Sequence, residues 1–507
     1  MMRAVHFLLL LMFAMAGCAS NSANMTSDGP GTPWAPSGKE GGLWLLAGKR
    51  EGPAPTTASG AADFSVPANP ALAMVPQTEG INPNRKYGLP ELIDIAQRNN
   101  PATREAWQRA RSAALAVGMV EATYLPIITA SAIGGRQTVQ TPLPVPVGTE
   151  RYLQANVSGV NAVVALQWLI FDFGQRAAIS DAAKEAAMAA NVLFNFEHQK
   201  LIFEVTSAYY TYGASLADLA IARQTVGNSQ SIAAAADARF ASGTGTSIEV
   251  AQARQLAAQS RLRLVEAEGR ERTSYQVLVA AMGIHSPVRL NVEDARNRRL
   301  PTPSNVPLDS MIRLALTQRP DVIAAYSAVA ASQAGVRAAT AEFMPKVYVA
   351  GTVGTGHGSF SINNLPGIGE QADGAGILVG ATVPLYDGGL RSAQLAQAQS
   401  RAAAAESLFH RTQTAAITEI VAASNALRTA LESYKAASEL ASAANLTYDA
   451  TVDAYKNGVG TVTAATAAST GLLDARQAQA DTHAAALISA ATLAFAVGSL
   501  TSRDAVR

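Results

Sequence analysis

Two hydrophobic rhythms alternate along this chain, and each occurs twice. From Val160 to Ile170 apolar residues take every second position: Val160, Ala162, Val164, Leu166, Trp168 and Ile170, with Asn161, Val163, Ala165 and Gln167 between them. A period of two marks a strand with one apolar face. Shifted by 215 residues (377−162), the same face reads Ile377, Val379, Ala381, Val383 and Leu385, with Gly380 and Thr382 opposite. Upstream, Ile127 to Val139 and Lys346 to Gly356 read as partner strands. The pattern therefore predicts two strand hairpins, 127–170 and 346–386. Both have long tips, one holding Pro142, Pro144 and Pro146 and the other running over 358–374 with Pro366.

After each hairpin the rhythm changes. Proline is absent from Val147 to Ser286 and from Leu385 onward, where Ala, Gln, Glu, Arg, Leu and Ser dominate. Most of these are good helix formers. Only Gly213 and Gly227 interrupt Arg176 to Phe240, and no glycine interrupts Arg391 to Tyr455. A helix of such length is roughly 100 Å long, so it must project and needs partner helices along its flanks. Each long segment ends in a glycine turn, Gly243-Thr244-Gly245-Thr246 or Gly458-Val459-Gly460-Thr461. Glycine stops a helix because it adopts positive φ without steric cost. Thr246 or Ser247 can cap the return helix, with Glu249 in its first turn. The returns are predicted to run to about Ala281 and Val497.

The repetition extends beyond these elements. Asn100-Pro101 and Leu125-Pro126 are matched 219 residues on (320−101) by Arg319-Pro320 and Met344-Pro345. Phe171-Asp172-x-Gly174-x-Arg176 is matched at 215 (387−172) by Tyr386-Asp387-x-Gly389-x-Arg391. The chain thus divides into two half-proteins, 89–284 and 307–499, with a connector at 285–306 and a tail at 500–507. Asp172 and Asp387, with Gly174 and Gly389, stand where a strand becomes a long helix. An acid there accepts free N–H groups of the first turn, and glycine relieves the bend.

Ahead of the repeats, Arg3 precedes an apolar run, Val5 to Met15, that ends in Met15-Ala16-Gly17-Cys18. This reads as a signal peptide over 1–17, too short to span a bilayer. Cys18 is the single cysteine, so an internal disulfide is excluded. The Ala-Gly-Cys ending resembles a bacterial lipobox, which implies acylation of Cys18; Ala19 after it implies sorting to the outer membrane. Residues 18–88, rich in Pro, Gly, Ser and Thr, read as a lipidated linker.

Net charge is +1, which gives no electrostatic basis for nucleic-acid binding. Hydrophobic residues make up 49% of the chain and charged residues 15%, yet no apolar run of ~20 residues follows the signal segment. Such a chain can still enter a bilayer as β-strands. Bacterial barrels begin at about eight strands, so four strands either pack on protein or are pooled among several chains.

The duplicated order of helix, x-Pro, Ala-rich helix, strand hairpin, hydrophobic-Asp-x-Gly-x-Arg, long helix and glycine turn resembles the TolC-type outer-membrane efflux proteins, from Leu89 to Ser499. The resemblance implies a mainly α fold with a transmembrane β portion: duplicated helical hairpins forming a periplasmic α-barrel, and a homotrimer whose strands build a 12-stranded barrel. It implies an outer-membrane exit channel of a tripartite efflux or type I secretion system. Its partners are a periplasmic adaptor and an inner-membrane pump of resistance-nodulation-division or ATP-binding type, with outer-membrane lipid around the barrel. The tips Gly243, Thr244, Gly245, Gly458, Val459 and Gly460 match the family's adaptor contacts. At the family's gate positions stand Thr466 and Ser469, with Glu249, Asp449 and Asp453 as nearby acids. Val462 stands where some members place an arginine, so the usual acidic ring is not reproduced.

No enzyme, metal or cofactor is implied. The six histidines form no metal-ligating spacing. Gly354-Thr355-Gly356-His357-Gly358 follows a strand into a loop rather than a helix, which argues against phosphate binding. Two other readings remain: a lipid-anchored coiled-coil scaffold without a pore, its strands packed on protein, and a channel whose cargo is a secreted protein or polysaccharide rather than small toxic compounds.

Overall fold

A computed structural model describes Pro30, Phe64, 70–73, Asn82, 84–147, 150–285, 289–295, 298–302, 307–363 and 365–501. The signal segment, Cys18 and most of the linker lie outside the described residues. The chain forms two units, Met1–Gln77 and Thr78–Arg507. Within the first, Pro70–Ala73 makes one exposed 3₁₀ turn.

In the second unit the elements run β1 (Lys86–Tyr87), α1 (Leu89–Asn99), α2 (Pro101–Ala122), β2 (Ile127–Val147), β3 (Glu150–Phe171), α3 (Gln175–Ala241) and α4 (Ser247–Ala281). They continue with β4 (Asn291–Val292), α5 (Leu308–Gln318), α6 (Pro320–Ala341), β5 (Lys346–Ile362), β6 (Ile368–Thr382), α7 (Leu390–Lys456) and α8 (Val462–Ala496). Helices α3 and α7 have 67 residues each, about 100 Å at 1.5 Å per residue.

Both hairpins join one antiparallel sheet in the order β2-β3-β5-β6. The register puts Ala162 opposite Ala132 and Thr355, and Val164 opposite Ala130 and Val353. Val349 and Gly351 pair with Val379 and Ile377, so the apolar faces of both repeats coincide. That face is bare: Val160, Val164, Val353, Ile377 and Val379 are all exposed. Among the described residues nothing covers that face, which speaks against the scaffold reading.

The strands are longer than the pattern predicts, and the tips correspondingly shorter. β2 runs through Pro142, and only 363–367 separate β5 from β6. Prolines at alternate positions remove N–H groups from one side of a strand. β2 accommodates them because it is an edge strand, and its register is irregular between Pro142 and Val147. The glycines of β5 belong to the ladder because its backbone runs close to β3. A Cβ on Gly159 would lie 2.6 Å from the His357 carbonyl oxygen.

The helices form a wall. In its upper part α3 lies between α2 and α6, and α7 lies against α6; in its lower part α3 lies between α4 and α8, and α7 lies against α8. The main core sits at mid-height, where α1 and the connector cover α3 and α4: Leu92, Ile93, Val205, Tyr209, Leu278, Met282 and Leu290 cluster there. The parallel β1–β4 pair ties the start of the first repeat to the connector. Gly213 does not stop α3. It is a contact point, where an added Cβ would come within 2.9 Å of Ala295 Cβ.

Candidate functional site: joints and tips of the helical wall

Each strand-to-helix joint is built around one acid and one arginine. Asp172 accepts from the Gly174 N–H (3.3 Å) and Arg176 N–H (3.0 Å), while Arg176 Nε donates to its Oδ2 at 2.7 Å. The guanidinium also donates to the Thr123 and Ile170 carbonyls and lies 4.6 Å from the Tyr124 ring centroid. Gly174 has φ +88, a conformation that residues with a Cβ rarely adopt. The second joint repeats this: Asp387 accepts from Gly389 and Arg391 N–H (3.1 Å each), and Arg391 Nη1 donates to Pro384 O. Gly389 has φ +90. The arginines are thus structural members of the motif, each linking helix start, acid and strand end.

At the far end, Gly243 (φ +74) and Gly458 (φ +80) turn the chain. Gly245 N–H donates to Arg239 O (2.9 Å) and Gly460 N–H to Ala454 O (3.0 Å). These second glycines leave no room for a side chain: a Cβ would meet Arg239 Cβ at 3.0 Å or Tyr455 N at 2.9 Å. Thr246, rather than Ser247, caps α4 by accepting from Glu249 N–H, and Thr461 caps α8 by accepting from Ala464 N–H. The apices Thr244 and Val459 are exposed, small and uncharged.

The two tips are clamped together by a residue the sequence reading passed over. Arg239 donates to Tyr455 O (3.4 Å) and Thr244 O (3.2 Å), and its guanidinium lies 5.3 Å from the Tyr455 ring centroid. Its Nε lies 3.8 Å from Glu249 Oε2, to which the Tyr455 hydroxyl donates at 3.5 Å. Burial, reinforced by Glu249, pushes the Tyr455 phenol pKa up, so it stays a neutral donor. Below the clamp Ile232, Ala236, Leu256, Val452 and Val462 close a small core. The available signal was a lone cation in the last turn of α3, where helix carbonyls attract one; its equivalent in the second repeat is Ala454.

The gate candidates separate. Glu249 is half-buried in the clamp, Asp449 is exposed and accepts from Asn445, and Asp453 is exposed. Thr466 is half-buried and donates to Thr463 O. Ser469 does not fit a pore-facing role: it is 2% exposed, because that face of α8 packs into the wall beside Leu256 and Thr225. Among the described residues no acid or histidine cluster could hold a metal ion, and no helix is long and apolar enough to cross a membrane.

A bare-faced four-stranded sheet continued by a long helical wall fits one subunit of an outer-membrane channel. The Outer membrane efflux protein family profile matches residues 92–284 and 311–499, and the chain belongs to that family. It is 26% identical over 372 residues to the outer membrane protein OprJ of Pseudomonas aeruginosa, covering 73% of this chain and 75% of that one. Protein CyaE of Bordetella pertussis is 28% identical over 411 residues, covering 80% and 83%. The structure of outer membrane protein VceC from Vibrio cholerae superposes with a TM-score of 0.66 at 20% identity, covering 81% of this chain and 96% of that one.

Proposed function

We propose that three copies of this chain assemble into one continuous outer-membrane exit conduit. It would have a 12-stranded barrel in the lipid and a helical tunnel below, through which an inner-membrane pump exports its cargo. One observation carries the reading. In every layer the same two sides are left open: β6 and α7 on one side, β2, α2 and α4 on the other. An edge of one repeat facing an edge of the other makes a head-to-tail contact, which closes into a ring. Four strands are too few to close around their own side chains, and their bare apolar face suits lipid.

The duplication also names contacts for that seam. Inside the chain α3 meets α8 through Arg476 Nη1, which donates to Gln224 Oε1 at 2.6 Å. Moving each residue to its repeat equivalent (224+215 and 476−215) gives Glu439 on α7 and Arg261 on α4. Both are exposed and oppositely charged. Exposed Leu262 and Val265 on α4 and Leu440 on α7 flank them.

The small, uncharged apices support docking of a periplasmic adaptor at Gly243–Gly245 and Gly458–Gly460. The pump behind it would be of resistance-nodulation-division or ATP-binding type. Asp449 and Asp453 are the acids best exposed for a tunnel gate. The lipobox-like end of the signal segment supports acylation of Cys18. Purified protein in planar bilayers should give single-channel conductance and run as a heat-resistant trimer. Val459→Asp at an apex should leave both intact and reduce export in cells. A stable, non-conducting monomer would refute the proposal.

A further inference from the structure

A cavity of about 420 Å³ lies in the helical wall among α3, α7 and α8, bordered at one end by Ala295 of the connector. It exists because alanines face it from both α3 and α8, where larger side chains would close the gap. That is ample for a small ligand, since binding sites begin at about 300 Å³. Among the described residues no aspartate or glutamate lines it.

The polar groups converge from different elements. Arg476 of α8 donates to Gln224 Oε1 of α3 (2.6 Å) and Asn445 Oδ1 of α7 (2.7 Å), both neutral amides. It forms no ion pair with a carboxylate among the described residues. A guanidinium has five N–H donors, so it is held in place with donors to spare; the nearest acid in this network, Asp449, reaches it only through Asn445, which donates to that carboxylate. Gln479 also lines the space, oriented by its bond to Ser438 Oγ. His483 Nε2 lies 2.9 Å from the Arg298 carbonyl oxygen. A carbonyl only accepts, so that nitrogen carries the proton and the ring orientation is set. The ring lies 5.4 Å from that of Tyr434, centroid to centroid. Burial raises the pKa of the Tyr210 phenol on the opposite wall, which keeps negative charge out of the space.

We propose that this cavity binds a small organic anion with a flat apolar body, its carboxylate or sulfonate on Arg476 and its body between the Tyr434–His483 rings and the alanine wall. Charge-assisted bonds from arginine suit such a group, and apolar walls with few polar anchors are the usual construction of a ligand site. A bound anion would bridge both repeats and the connector, so occupancy should stabilise the folded wall. The site lies within one subunit and does not depend on the assembly proposed above.

The test uses the full-length, detergent-solubilised protein with 2-naphthoate as the probe, read by titration calorimetry and thermal unfolding. Saturable binding and a raised unfolding midpoint are expected. Arg476→Gln should weaken binding roughly tenfold or more, Arg476→Lys should weaken it less, and neutral 2-naphthylmethanol should not distinguish wild type from Arg476→Gln. Ala480→Trp, which fills the cavity while keeping the arginine, should abolish naphthoate binding. Absence of saturable binding at millimolar probe, or binding unchanged in Ala480→Trp, would overturn the proposal.

Discussion

Helices α3 and α7 are copies of one another, equal in length and capped by the same glycine geometry, yet they live in different surroundings. Twenty residues of α3 are buried, beginning at Arg176; α7 has eight, and the first is Ala416. Sequence accounts for part of the difference, since Leu201, Tyr209 and Tyr210 are matched 215 residues on by Ala416, Ser424 and Asn425. Position accounts for the rest: α3 has neighbours on both flanks, α7 on one. The joints follow suit, with the Asp172–Arg176 pair buried and the Asp387–Arg391 pair more open. On the proposed assembly the free flank of α7 would receive an equivalent neighbour, and the covered flank of α3 shows what that neighbour should look like.

The largest effect should come from placing a charge at equivalent positions of the two helices. Ala178 is buried and its equivalent Ala393 is exposed. Ala178→Asp should destabilise the subunit by about 3 kcal/mol or more, as expected for an unpaired buried charge. Ala393→Asp should leave the denaturant midpoint of the isolated subunit unchanged and weaken only assembly. Equal losses in the subunit would show that the flanks are not distinct.

A smaller effect is expected at the seam. Glu439→Arg, facing Arg261, should lower the trimer fraction on native gels by about 1–2 kcal/mol of coupling. Adding Arg261→Glu should restore it. Failure of the double variant to recover would break the equivalence between the internal α3–α8 contact and the contact between copies.

The last effect is absent at neutral pH and appears only in strong alkali. Burial, with Glu293 nearby, raises the Tyr209 phenol from 10.0 to about 12. In that window the unfolded chain loses a proton that the folded chain keeps, so stability falls as pH rises from about 10 to 12. Tyr209→Phe should lessen this alkaline decline in thermal melts, the raised Tyr210 and Tyr212 phenols keeping part of it, and an unchanged slope would exclude Tyr209 as a source.

Much of this was legible because the chain states it twice. Period-two alternation located the strands, and its recurrence at a fixed shift located the apolar face. Helix length followed from the absence of proline. The strand ends were not legible, because prolines and glycines that normally signal loops are tolerated on an edge strand and at close backbone approaches. Arg239 escaped notice because its partners, Tyr455 and Glu249, belong to segments distant in sequence, and a clamp formed by one repeat on the other leaves no internal echo. Ser469 was misplaced because a helical position says nothing about which face the neighbouring helices cover.

From Pro126 to Phe171 the first repeat uses 46 residues, and from Pro345 to Tyr386 the second uses 42, so the four-residue disparity is spent entirely in the hairpins. Below them the two long helices keep identical length. They behave as matched spacers: one residue inserted in either would lower its end by about 1.5 Å and rotate everything after it by roughly 100°. The wall thus tolerates variation in its hairpins and forbids it where two turns must arrive level to share the Arg239 clamp.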